Sequence, residues 1–129
     1  MTKFVAFRTD AGEFCVPAAR VASVRVATGV VSLPSPQPHV AGLLQLDGSA
    51  VTVLAPLGGG ADHLLVLETG GRRFGILVGE VTGVVDFEDA EIGPVPAGQL
   101  ERLISGVIAT GGRLTMLADV DALIRMLDQ

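Results

Sequence analysis

The chain has 129 residues, which is enough for one compact domain with a buried core. Apolar residues make up 49% of it, which excludes intrinsic disorder, and 17 glycines with only 18% charged residues favour many turns and few long helices. The net charge of −5 and the scattered basic residues argue against nucleic acid as a partner. No signal peptide or stretch long enough to cross a membrane is seen, and Cys15 is a single cysteine, so a cytoplasmic protein is expected.

The first half of the chain predicts five short strands. Residues 4–8 and 13–16 form a hairpin, residues 17–20 form a single helical turn, and residues 21–26 form a third strand. A proline-rich loop at 33–38 follows. The strongest local signal is the hairpin at 40–57, where Asp47-Gly48 separates two apolar runs, because glycine accepts the positive φ that a tight turn requires.

The second half predicts the same order of elements after a glycine-rich connector at 58–60. Strands are expected at 63–68, 73–78 and 81–87, and the acidic run 86–91 is expected to be a solvated loop. Leu100, Leu103 and Ile104 suggest one or two helical turns, and residues 106–117 form a last hairpin around Gly111-Gly112.

The C-terminal residues 119–129 predict the one clear helix. Asp119 is the expected N-cap, and the apolar stripe has helical spacing: Val120, Leu123, Ile124 and Leu127.

The two halves also share residues at fixed offsets. The first hairpin and third strand repeat after 60 positions, as in Thr9 and Thr69 or Phe14 and Phe74, and the last hairpin repeats after 63, as in Leu54 and Leu117. The pattern predicts a mainly β fold with two small, five-stranded, SH3-like β-barrel subdomains at about 1–57 and 62–129, which share a core.

Reactive groups are sparse, so the residues themselves predict no enzyme. No G-x-S-x-G nucleophile motif occurs, and His39 and His63 stand alone. Cys15 lies between Phe14 and Val16 and is expected to be a small buried hydrophobe. No zinc-ligand spacing or calcium-loop pattern is found, so neither a metal nor a cofactor is predicted. The remaining class is a binding module.

Three segments together resemble one known family. The run at 40–54, VAGLLQLDGSAVTVL, resembles a central string of the CheW-like chemotaxis coupling proteins, and so do GILVGEV at 75–81 and the ending from Gly106-Val107-Ile108 to Asp119-Val120-Asp121-Ala122-Leu123. The resemblance covers the chain from Phe4 to Leu127. It implies two five-stranded barrels, no catalysis, and an adaptor that links chemoreceptor signalling tips to the regulatory domain of the histidine kinase CheA.

The same resemblance places a protein-binding surface on the first barrel. Its expected residues are Val40, Leu43, Gln45, Asp47, Gly48 and Ser49. Four positions depart from the family pattern. Gln45 stands where the family has an asparagine, Asp47 stands where it has an arginine that contacts receptor and kinase, and Gly79 and Pro56 stand where it has aspartates. An acidic side chain cannot make the forked contacts of an arginine to a carboxylate and would repel it.

One alternative is a small-molecule-binding or sensory β-barrel module with a ligand site between the two subdomains. A deep crevice with convergent polar groups would favour that function, whereas a shallow apolar one would favour an adaptor. Neither hypothesis predicts nucleic-acid binding or direct insertion into a membrane.

Overall fold

The computed structural model describes residues 2–32, 39–55, 62–95 and 102–128, and its fold is mainly β. The predicted strands are confirmed, and one further short strand, β9, is present. The bounds are β1 Thr2–Thr9, β2 Gly12–Pro17, β3 Val21–Val26, β4 Val40–Leu46, β5 Ser49–Leu54, β6 His63–Thr69, β7 Arg72–Val78, β8 Glu80–Phe87, β9 Ile92–Gly93, β10 Ile104–Thr110 and β11 Arg113–Ala118. A 3₁₀ turn, Ala18–Arg20, confirms the predicted helical turn. The proline-rich loop, the glycine connector, Pro56 and Leu100 lie outside the described residues.

The strands form two sheets with the same internal order. The six-stranded sheet runs β8-β1-β2-β11-β10-β9, and the five-stranded sheet runs β3-β6-β7-β5-β4. Each sheet combines strands from both halves of the sequence, because the hairpin β1–β2 pairs with β8 and β11 while β6–β7 pairs with β3 and β5. The sheets therefore do not follow the predicted division at about 1–57 and 62–129, which stays a prediction about domains.

The structure corrects the offset between the last hairpins from 63 to 64. The parallel pairs Val53↔Gly75 and Leu117↔Cys15 place Val53 and Leu117 at equivalent positions. Matching Leu54 with Leu117 by residue type is wrong, because a shift of one residue in a strand moves a side chain to the opposite face.

The core has three parts. The largest cluster lies between the sheets and includes Phe7 and Phe14, whose stacked rings are 5.7 Å apart, together with Phe74. Each sheet also has a smaller cluster on its other face. The one on the five-stranded sheet surrounds Leu44 and Leu64, and the one on the six-stranded sheet surrounds Phe4 and Cys15. Burying a side chain of phenylalanine size contributes about 1.5–3 kcal/mol, so the central cluster joins the two sheets into one unit.

The outer edges of both sheets carry short pairings that the sequence did not predict. β9 pairs with β10, and Val31 forms an isolated bridge with Leu43 of β4. Gly42 permits that bridge, because a Cβ there would lie 2.2 Å from the carbonyl oxygen of Val31. The predicted helical turn at Leu103 and Ile104 is wrong: Ile104 is buried in the central cluster and begins β10.

The C-terminal helix α1, Val120–Arg125, is confirmed and continues as a 3₁₀ turn, Met126–Asp128. Asp119 is its N-cap, since Oδ1 accepts a hydrogen bond from the backbone N–H of Ala122 at 3.1 Å. Arg20 donates to the hydroxyl of Thr69 and lies 3.6 Å from Asp121, which ties the helix to the five-stranded sheet. The acidic side chains at 86–91 are exposed, although β8 extends to Phe87 before a 3₁₀ turn, Asp89–Glu91.

Candidate functional site

The β4–β5 turn has the backbone that its sequence predicts. Asp47 has φ 50° and Gly48 has φ 83°, which is the pair of positive angles of a type I′ turn. Gly48 has no steric cost there, and aspartate tolerates the left-handed region better than most side chains. Both residues are exposed, so the turn forms a projecting tip at the end of the hairpin.

Three of the predicted binding residues, Val40, Leu43 and Gln45, lie on one face of this hairpin. Val40 pairs with Leu54, Leu43 with Thr52 and Gln45 with Ala50 in register. Ala50, Thr52 and Leu54 alternate along β5 and therefore share a face, so their partners on β4 share that face too. A bulge after Val40 adds one residue to β4, which leaves Val40 on the same face as Leu43.

Exposure increases along this face towards the turn. Val40 packs against the central core and Leu43 is half-buried. Gln45, Asp47, Gly48 and Ser49 are exposed. Val40, Leu43 and Gln45 therefore form a strip that runs from the edge of the core to the tip, where Asp47, Gly48 and Ser49 lie in or beside the turn.

Val31 adds an apolar side chain to this strip. Its N–H and carbonyl exchange hydrogen bonds of 2.8 and 2.9 Å with Leu43, so the two residues are cross-strand neighbours. The Val31 side chain is 63% exposed. No sequence pattern pointed to this residue, because Val31 belongs to no predicted strand.

Two charged residues from the neighbouring hairpin meet the tip. Nη1 of Arg73 donates to Oδ2 of Asp47 at 3.2 Å, and Nε donates to Oε2 of Glu68, also at 3.2 Å. The Glu68 carboxylate, and then that of Asp47, raises the pKa of the Arg73 guanidinium. Asp47 stands where the sequence analysis expected an arginine, and its carboxylate is paired with the guanidinium of Arg73 in the same chain. We call Asp47, Glu68 and Arg73 the tip triad.

A concavity of about 240 Å³ opens on the six-stranded sheet, lined in part by Arg8, Glu13, Thr82 and Arg113. Glu13 accepts from both arginines, and the hydrogen bond from Arg8 is the main cause that lowers the pKa of this carboxyl. A carboxylate held in its ionised form in this way is a weak proton acceptor, so the cavity has no obvious general base.

The surroundings of Cys15 and His63 indicate structural roles for both residues. Burial raises the pKa of the Cys15 thiol to about 12, so the thiolate that a nucleophile needs is scarce at neutral pH. Nδ1 of His63 lies 3.0 Å from the carbonyl oxygen of Gly79, a geometry that favours the tautomer with the proton on Nδ1.

The part of the chain that the structure describes contains neither a cluster of metal ligands nor a membrane-spanning helix. No group of three or more His, Cys, Asp or Glu side chains is arranged to hold a metal ion. None of the helices in residues 2–32, 39–55, 62–95 and 102–128 has the length and apolar character needed to cross a bilayer.

Two packed sheets carry an exposed strip of apolar and charged side chains. Such a surface is suited to binding another macromolecule, so the fold and the site are those of a binding protein. A family model described as the CheW-like domain matches residues 3–128. The chain belongs to the CheW-like family.

Individual relatives agree with this assignment. The chain is 30% identical over 132 residues to a protein named chemotaxis protein CheW from Rhizobium meliloti (strain 1021), covering 93% of this chain and 85% of that one. Its fold resembles the solved structure of the scaffolding protein TtCheW from Thermoanaerobacter tengcongensis, with a TM-score of 0.82, 17% identity, and coverage of 92% of this chain and 84% of the other. The fold class expected from the resemblance is thereby confirmed.

Proposed function

We propose that this chain is a non-enzymatic adaptor that couples chemoreceptors to a CheA-type histidine kinase. The observation that carries the proposal is the match of a CheW-like domain to nearly the whole chain, residues 3–128. A relative named chemotaxis protein CheW, matched over 93% of the chain, supports the same role. The expected cytoplasmic location is part of this proposal.

The strip from Val40 to Ser49, with Val31, is the surface we assign to partner binding. It combines half-buried apolar side chains with exposed polar ones, as partner-binding patches do when an apolar centre is surrounded by a polar rim. The partners in this proposal are the regulatory domain of a CheA-type kinase and a chemoreceptor signalling tip. The alternative, a small-molecule module with a site between the subdomains, finds no support in the comparisons.

A binding titration tests the proposal. The purified chain is titrated against the regulatory domain of a CheA-type kinase, and separately against a receptor signalling tip, both from the same genome. We expect the unmodified chain to bind, and Gln45→Ala to weaken binding with no change in thermal unfolding. Asp10→Ala is the matched control, because Asp10 is exposed in the turn of another hairpin.

Asp47→Arg separates two versions of the adaptor. Binding by the unmodified chain supports a partner matched to Asp47. Binding only by Asp47→Arg would mean that the adaptor fold has lost its usual contact. Absence of binding by both forms to both partners would contradict the proposed function.

A further inference from the structure

Arg73 is distant from the candidate surface in sequence, and strand pairing brings it there. It lies 26 residues after Asp47, on β7, and the parallel pairing of β5 with β7 brings its strand beside the hairpin. Its cross-strand partner on β6 is Glu68. The guanidinium therefore connects two hairpins at the tip, with one nitrogen on each carboxylate.

We propose that Arg73 is a positioning residue that determines the specificity of the proposed partner surface. It holds the Asp47 carboxylate in place so that the tip selects a partner with a basic side chain opposite Asp47. This inference rests on the proposed adaptor function and names a residue and a partner chemistry for the same surface.

The geometry supports positioning rather than a contribution to folding. The side chains of Asp47 and Arg73 are 67% and 43% exposed, and an ion pair that solvent screens to this extent contributes little to stability. Arg73 is held from its other side by Glu68, so its long side chain is already ordered when it meets Asp47. Order that exists before binding reduces the entropy lost on association, which favours a charged contact at this point.

The sign of the charge follows from the same three residues. The tip triad contains two carboxylates and one guanidinium, which leaves one negative charge. Arg72 is adjacent in sequence, but alternate residues of a strand point to opposite faces, so its side chain leaves β7 on the other side. A carboxylate accepts through both oxygens, and each acid uses one of them for Arg73, so a partner lysine or arginine is the complementary group.

A double-mutant cycle on the full chain tests the inference with the kinase regulatory domain and the receptor tip as probes. We expect Asp47→Ala and Arg73→Ala each to weaken binding about fivefold to the partner that contacts the tip. The double variant should bind as weakly as Asp47→Ala alone, because Arg73 acts through Asp47. Arg73→Lys should recover part of the affinity. Melting temperatures should stay within about 2 °C of the unmodified chain.

The controls separate positioning from a general loss of charge. Arg8→Ala removes an equivalent cross-strand ion pair, Arg8 with Glu13, from the other sheet and should leave affinity unchanged. The exchange Asp47→Arg with Arg73→Asp retains the ion pair but reverses the charge next to the partner. It should bind more weakly than Asp47→Ala, since it places a like charge against the basic group.

Two failures are distinguishable. If neither the unmodified chain nor Asp47→Arg binds either probe, the proposed function fails, and the inference fails with it. If only Asp47→Arg binds, the inference alone is overturned. If the unmodified chain binds but Arg73→Ala retains full affinity, or the two single losses add in the double variant, the inference alone is overturned.

Discussion

Cys15 is the residue whose chemistry depends most on its surroundings. It is fully buried beside Phe4 and Ile108, on the face of the six-stranded sheet opposite to the central cluster. Burial raises the pKa of its thiol to about 12, against about 8.5 for a thiol in an unfolded chain. The sequence has no tyrosine, whose phenol would otherwise titrate in this range.

Stability should therefore fall in mildly alkaline solution. Below about pH 8.5 the thiol is protonated in both states and its contribution is fully present. Above that pH the unfolded thiol loses its proton first, so the free energy of unfolding decreases by up to about 1.4 kcal/mol per pH unit until the folded pKa is reached. Urea unfolding between pH 8 and pH 11 measures this slope. Cys15→Ala should give a flatter profile, and an unchanged slope would contradict the assignment.

Gly42 is required by a close backbone approach. A Cβ there would lie 2.2 Å from the carbonyl oxygen of Val31, which is backbone and cannot move without breaking the bridge. We expect Gly42→Ala to lower the free energy of unfolding by about 2 kcal/mol or more. Gly93→Ala is the control, because its nearest contacts would be 3.7 and 3.9 Å away. Equal urea midpoints for the two variants would disprove this explanation.

At the scale of single elements, helix α1 depends on its N-cap residue. Asp119 accepts the backbone N–H of Ala122, which would otherwise be unpaired at the helix start. Asp119→Ala should therefore destabilise the protein by about 1 kcal/mol, and Asp119→Asn much less. Chemical unfolding compares these with Asp121→Ala, which removes only an exposed contact to Arg20. A larger loss for Asp121→Ala than for Asp119→Ala would contradict the capping role.

The elements also show how far the sequence could go. The hairpin around Asp47-Gly48 was predictable, because turn chemistry and apolar alternation are local. The bridge of Val31 to Leu43 and the contact of Arg73 with Asp47 were not, because each depends on which strands become neighbours. The incorrect offset of 63 has the same cause. Matching residue types cannot detect a slip of one position between two strands, whereas the observed strand pairs determine the offset directly.

At the scale of the whole molecule, the exchange of hairpins between the sheets makes the two halves of the sequence dependent on each other. Without residues 62–129, β1 loses β8 and β3 loses β6. We expect fragments 1–57 and 62–129 to lack cooperative unfolding when separate and to regain it when mixed. Circular dichroism with urea titration measures both states. A cooperative transition in either fragment alone would instead support two independent subdomains.

The same exchange also sets the order in which the chain can fold during synthesis. Phe4 pairs with Val85, so the first strand made by the ribosome must wait until most of the chain has emerged. Until then, β1 has only β2 as a neighbour in its sheet, and the edge of β1 that pairs with β8 is open. Distant pairings of this kind also slow folding in a test tube, to about milliseconds to seconds for β proteins of this size.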